Sequence, residues 1–116
     1  MDKPVDKPTV IESDTMILPT GMTPEMSRSY RHYVIHVRWL DGGEWAVSGL
    51  MNDTCLSVEG RTWSERIPRK DQHLYRFPSR ESAMFAAIEE ADRQTIGGKT
   101  FRQAHHRWLQ DQENPT

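Results

Sequence analysis

A run of alternating apolar and polar residues from Tyr30 to Leu40 constrains the fold of this chain more than any other feature. Alternation with a period of two, carried by aromatic and β-branched residues, predicts a strand with one buried face. Asp41-Gly42-Gly43 follows, and these residue types tolerate the positive φ of a tight hairpin turn. The alternation resumes from Glu44 to Met51, so the sequence predicts a β-hairpin. The side chains predicted to share the buried face of the sheet are Tyr33, Ile35, Val37, Trp39, Trp45, Val47, Leu56 and Val58.

Further strands are predicted after the hairpin. Asn52-Asp53 favours a second turn, and the apolar residues Leu56 and Val58 begin a third strand. Residues 64–73 are polar and contain a proline, which predicts a loop. The short segment from 74 to 77 is a candidate edge strand, so the sequence predicts an antiparallel meander of three or four strands.

A long helix is predicted to begin at Ser79. This residue is a favourable N-cap after a proline, and Glu81 in the first turn interacts well with the helix dipole. Gly97-Gly98 ends the helix. The apolar positions predicted to face the sheet are Met84, Ile88, Ala91 and Thr95, with Phe85 beside them.

A second, short helix is predicted near the C-terminus, because Thr100 and Gln103 match a capping box. Its apolar residues recur at helical spacing, so one face must cover either the sheet or a partner. We favour the sheet core and keep the partner as the alternative. The residues on this face are Phe101, Ala104, His105, Trp108 and Leu109.

The order of strands followed by helices predicts an α+β fold: a three- to four-stranded antiparallel meander, with one long helix and a short C-terminal helix packed on one face. Residues 28–110 form the predicted single domain. Residues 1–27 carry five carboxylates against two lysines and several prolines, which predicts a largely disordered acidic tail. Within it, Thr23-Pro24-Glu25 predicts a short helical turn. Residues 111–116 are predicted to be a second disordered tail.

The sequence favours a cytoplasmic protein. Cys55 is the only cysteine of the 116 residues, so no intramolecular disulfide is possible. The N-terminus has neither the basic nor the apolar region of a secretory signal. No apolar run approaches the roughly 20 residues of a membrane span, and we therefore expect no membrane association.

One segment carries a resemblance to a known group of proteins. Phe77-Pro78-Ser79-Arg80-Glu81-Ser82-Ala83 follows a tyrosine-led strand and a Gly-Gly-x-Trp hairpin. This arrangement over residues 30–98 resembles small bacterial domains of unknown function with a β-meander and one packed helix, some of which are compared with the double-stranded-RNA-binding fold. The resemblance implies a fold and no catalytic or binding residue, and residues 99–110 go beyond it.

The motifs that would carry catalysis or metal binding are incomplete. Gly98-Lys99-Thr100 resembles the end of a phosphate-binding loop, but the first glycine of that motif is replaced by Arg93. His32 and His36 share a strand face at a separation of about 13 Å, too far for one zinc ion. We therefore expect no enzyme activity, no metal and no cofactor.

Two functional hypotheses remain. The first is a non-catalytic domain that acts as an accessory, regulatory or inhibitor protein through protein–protein contacts, with a homodimer as one possibility. The second is a nucleic-acid-binding protein that uses the arginine-rich segment 61–76, since arginines and aromatic residues suit phosphate contact and base stacking. The candidate partner contacts are Trp63, Arg66, Arg69, Lys70, Arg76, Phe101 and Trp108.

Overall fold

The computed structural model describes residues 13–50 and 53–113. They form a five-stranded antiparallel sheet with two helices, so the predicted α+β class is confirmed, with one strand more than expected. The strands lie in the sheet in chain order. The elements are β1 (Asp14–Ile17), β2 (Ile35–Trp39), β3 (Trp45–Gly49), β4 (Thr54–Leu56), β5 (Trp63–Ser64), α1 (Arg80–Ala91) and α2 (Phe101–Glu113).

The predicted hairpin is confirmed as β2 and β3. Val37 lies opposite Val47 in the register, and the turn between the strands has a positive φ at both of its glycines. The first strand begins later than predicted, because Arg31–Tyr33 forms a 3₁₀ helix before it. Trp39 lies at the far end of β2 and is 40% exposed, so its predicted place in the core is wrong.

The sheet also gains an edge strand that the sequence did not indicate. β1 pairs along β2, with Thr15 opposite Val37 and Ile17 opposite Ile35. Residues 14–17 are therefore part of the sheet and not of a disordered tail. The predicted turn at Thr23-Pro24-Glu25 is present as the start of a 3₁₀ helix over Pro24–Arg28.

The far side of the meander differs in detail from the prediction. The third strand is β4, and the chain then turns through Gly60, at a φ of 79°, into the short β5. Arg69–Tyr75 forms a 3₁₀ helix where a loop and an edge strand were expected. Phe77 bridges to Trp45 through two backbone hydrogen bonds of 2.7 and 2.9 Å, so the predicted edge strand is reduced to this bridge.

Some predictions fall on residues that the structure does not describe. Residues 1–12 of the predicted acidic tail lie outside the described residues, as do Met51, Asn52 and residues 114–116. The second predicted tail begins later than expected, because α2 continues through Glu113.

Helix α1 packs against the sheet through alanines. Ala83, Ala86, Ala87 and Ala91 are buried against strands β1 to β3, and the predicted cap is confirmed, since the Ser79 hydroxyl accepts from the Ser82 amide at 3.1 Å. Most large side chains of this core come from the sheet, so the fully buried apolar residues of the helix are alanines. The predicted stripe is confirmed in part, since Ala91 is buried and Met84 packs against the core. Ile88, with Phe85 beside it, is turned away from the sheet, and this part of the prediction is wrong. The helix also ends at Ala91, earlier than the predicted end at Gly97-Gly98, so Thr95 lies outside it. The buried sheet residues are Ile35, Val37, Trp45, Val47, Leu56 and, partly buried, Ile17, Val58 and Trp63.

A second, smaller core holds α2, which does not lie on the sheet face beside α1 as predicted. Phe101 is buried against Met22, Tyr33 and Val34. All three residues lie in the connection between β1 and β2. The predicted capping box is confirmed, with the Thr100 amide donating to the Gln103 carboxamide oxygen at 2.9 Å. Helix α2 is thus fixed at its first turns, and most of its later residues are exposed.

Candidate interaction surface

The structure places the three aromatic candidates in three different environments. Trp63 packs against the sheet core, where a Cβ added at Gly49 would lie 3.2 Å from its ring. Phe101 is buried in the second core, so its ring is not available to a partner. Trp108 is 50% exposed on α2 and is the one of these three that a partner could reach directly.

Arg76 is already engaged within the protein. Its guanidinium donates to the Asp41 carboxylate at 2.8 Å and to the Glu44 carboxylate at 3.0 Å. The hydrogen bond and the charge of Arg76 together hold the pKa of the Asp41 carboxyl below its ordinary value, and the two carboxylates raise the pKa of Arg76. Arg76 therefore neutralises local negative charge and adds no net positive charge to the segment.

Two neighbouring arginines also make contacts within the protein. Arg61 forms an ion pair with Glu89 of α1 at 3.2 Å. Arg80 donates to the Thr15 hydroxyl at 3.1 Å, and its guanidinium lies 5.9 Å from the centre of the Trp45 ring. The first contact joins the basic segment to α1, and the second joins α1 to β1. With Arg61 and Arg76 paired, the basic segment has fewer free charges than its arginine count suggests.

Three basic candidates remain on the surface. Arg66, Arg69 and Lys70 are exposed, and none forms an ion pair within residues 13–50 and 53–113. Arg66 lies just after β5 and has a positive φ of 53°, and the other two open the 3₁₀ helix at Arg69–Tyr75. They are the part of the arginine-rich segment that could contact phosphates.

Aromatic rings form a stack along α2. The His105 ring lies parallel to the Phe101 ring, with centroids 5.4 Å apart, and parallel to the Trp108 ring at 5.8 Å. Tyr30 meets Phe101 edge-on at 5.0 Å. The stack joins the buried core to the exposed half of the helix, where Leu109 is 43% exposed.

Two grooves flank this helix. One has a volume of about 420 Å³ and lies between α2 and the loop at Thr20 and Gly21, with Leu109 in its wall. The other, of about 240 Å³, lies between Trp108 and the 3₁₀ helix at Pro24–Arg28. Apolar grooves beside exposed aromatic residues are typical of surfaces that bind another protein.

Helix α1 presents a second exposed apolar surface, which the sequence analysis missed. Phe85 is 63% exposed and Ile88 is 58% exposed, on the side of α1 away from its buried alanines. A signal for this was available, since α1 carries one face of alanines and another of larger apolar residues, and only one can face a single sheet. Neighbouring exposed apolar side chains are a common feature of interaction sites.

The sheet face away from α1 holds a pocket of about 290 Å³ beside Cys55, covered by the segment that contains Arg66 and Tyr75. Burial raises the pKa of the Cys55 thiol, against a smaller opposing effect of Arg38. The thiol is thus held in its protonated, poorly nucleophilic form.

The described residues contain no group of three or more His, Cys, Asp or Glu side chains that could hold a metal ion. His36 contacts the Asp14 carboxylate at 3.1 Å across the β1–β2 pair. None of the described helices is long and apolar enough to cross a membrane.

Comparison of the chain with protein-family models, with curated proteins and with solved structures finds no match. The resemblance of residues 30–98 to small bacterial β-meander domains therefore stays a prediction.

Proposed function

We propose that this protein is a small non-catalytic interaction domain, a cytoplasmic accessory, regulatory or inhibitor protein that binds another protein chain through its two helices. The observation that carries the proposal is the exposure of four large apolar side chains on α1 and α2: Phe85, Ile88, Trp108 and Leu109. Such residues are costly to leave in water, and burying each against a partner removes that cost.

The anchoring of α2 supports this function. Its first turns are fixed by the buried Phe101, so the later turns hold Trp108 and Leu109 in a defined position without first having to fold. A preorganised helix binds with less loss of conformational entropy than a flexible segment. Tryptophan is also among the residues that contribute most to binding energy at protein interfaces.

Site-specific photo-crosslinking tests this proposal. A benzophenone side chain in place of Leu109 should give discrete protein adducts in cells that express the chain, and adding Trp108→Ala should reduce them. The matched control carries the same group in place of Thr62, an exposed residue between β4 and β5. Adducts of equal yield from both positions, or none from position 109, would contradict the proposal, and the mass of each adduct identifies the partner as a second copy or as a different protein.

Nucleic-acid binding is the second candidate, favoured by the exposed cluster of Arg66, Arg69 and Lys70. Three phosphate contacts would make the logarithm of the binding constant for duplex DNA fall with the logarithm of salt concentration at a slope of about −2.7. We expect titration with single- and double-stranded DNA and RNA, at a low and a high salt concentration, to show no saturable binding. Saturable binding that has this slope and is lost when all three residues are changed to glutamine would establish the second function instead.

A further inference from the structure

The exposed stripe of α1 combines apolar and acidic residues. Glu81, Phe85, Ile88 and Asp92 are spaced by four, three and four positions from the first turn of α1 to its C-cap. At 3.6 residues per turn they fall within an arc of about 60°. Glu81 is exposed and forms no ion pair among the described residues. The stripe thus begins with a carboxylate that no described cation pairs with, and it continues with two exposed apolar side chains.

This stripe leads directly to the larger groove beside α2. The Thr20 amide donates to one carboxylate oxygen of Asp92 at 2.7 Å, and the Thr20 hydroxyl donates to the other at 2.6 Å. Thr20 also forms part of the wall of the 420 Å³ groove. The end of the α1 stripe and the edge of the groove are therefore joined through one residue, and the two features form a continuous surface.

The opposite wall of the groove is basic and apolar. Arg102, His106 and Leu109 line it, and their spacing of four and three positions places them on one side of α2. Arg102 is exposed and has no ion-pair partner among the described residues. The continuous surface thus has an acidic–apolar half on α1 and a basic–apolar half on α2.

We infer that the partner of this surface is a second copy of the chain, in a two-fold symmetric dimer. The acidic–apolar half and the basic–apolar half lie side by side in one molecule and therefore cannot contact each other. In a dimer, the acidic–apolar half of each chain can contact the basic–apolar half of the other. A two-fold axis makes every contact twice, which suits a surface whose halves differ in charge. Phe85 and Ile88 of one chain enter the groove of the other, and Glu81 meets Arg102 across each contact. This inference rests on the proposed function and names its partner.

The test uses the full-length chain, with its mass measured by sedimentation equilibrium over a hundredfold range of concentration. We expect a dimer of twice the 13.5 kDa chain mass. Glu81→Arg alone and Arg102→Glu alone should each raise the dissociation constant by about tenfold or more, because each places two pairs of like charges in the dimer. An equimolar mixture of the two variants should associate as well as the unchanged protein, because the mixed dimer contains only opposite charges in these pairs.

Matched charge reversals at exposed positions away from this surface, Glu65→Arg and Arg38→Glu, should leave the dissociation constant unchanged. Thermal unfolding of every variant confirms that the fold is retained. A chain that is monomeric throughout, a dimer that neither variant weakens, or a weakened dimer that mixing does not restore would each overturn the inference. In those cases, adducts from position 109 with a different protein would still support the proposed function, and the absence of any adduct would overturn both.

Discussion

Replacing Phe101 with alanine should lower the free energy of unfolding by about 3–5 kcal/mol. The ring is buried and holds α2 against Met22, Tyr33 and Val34, so its removal leaves a cavity in a core of few residues. Since a domain of this size has about 5–15 kcal/mol of stability in total, the loss is a large fraction of it. Urea denaturation followed by tryptophan fluorescence measures the effect.

Trp108→Ala is the matched control for this variant. Trp108 is an aromatic residue on the same helix, but it is half-exposed, and we expect its removal to change the free energy of unfolding by less than about 1 kcal/mol. If the two variants were destabilised equally, the separation of α2 into an anchored and an exposed half would be wrong.

Ala87→Leu should lower the free energy of unfolding by about 1–3 kcal/mol. Ala87 is fully buried between α1 and the sheet, and Val37, Val47 and Leu56 already fill the space beneath the helix. The added atoms must push α1 away from the sheet or force side chains out of their preferred rotamers. Thermal and urea unfolding, at a protein concentration low enough for a monomer, give the change directly.

Phe85→Leu on the opposite side of α1 is the control. It keeps an apolar side chain at an exposed position, and we expect a change within about 0.5 kcal/mol. A tolerated leucine at position 87 together with a strongly destabilising change at position 85 would mean that the orientation of α1 is the one that the sequence analysis predicted.

The elements set by local interactions could be predicted from the sequence. The hairpin of β2 and β3 follows from alternation and two glycines, and the start of α1 follows from the Ser79 cap. The capping box at Thr100 and Gln103 forms as predicted for the same reason, since its partners are three residues apart. Each of these features depends on contacts between near neighbours in the chain.

The orientation of α1 could not be decided in this way. Its sequence offers two apolar faces, and the usual rule that the larger apolar residues face the core misplaces Ile88 and Phe85, which are exposed. The alanine face is buried because the sheet supplies the large side chains, and this depends on residues such as Ile35 and Leu56 that are far from α1 in sequence. The exposed stripe of Phe85 and Ile88 was missed for this reason.

In the candidate site, too, some features could be predicted from the sequence and others depend on tertiary contacts. Trp108 was singled out from the sequence and is exposed, whereas Phe101, chosen by the same periodicity, is buried. The charges of Arg61 and Arg76 could be counted, but their carboxylate partners on α1 and beside the hairpin turn could not be foreseen.

The sequence by itself determined where the hairpin turns and where both helices begin, because these depend on the backbone preferences and hydrogen bonds of a few adjacent residues. Only the tertiary structure decided that β1 joins the sheet, which face of α1 is buried, and that α2 lies on a core of its own. Those outcomes depend on how side chains far apart in the sequence pack against one another, and the pattern of apolar and polar residues along the chain does not specify that packing.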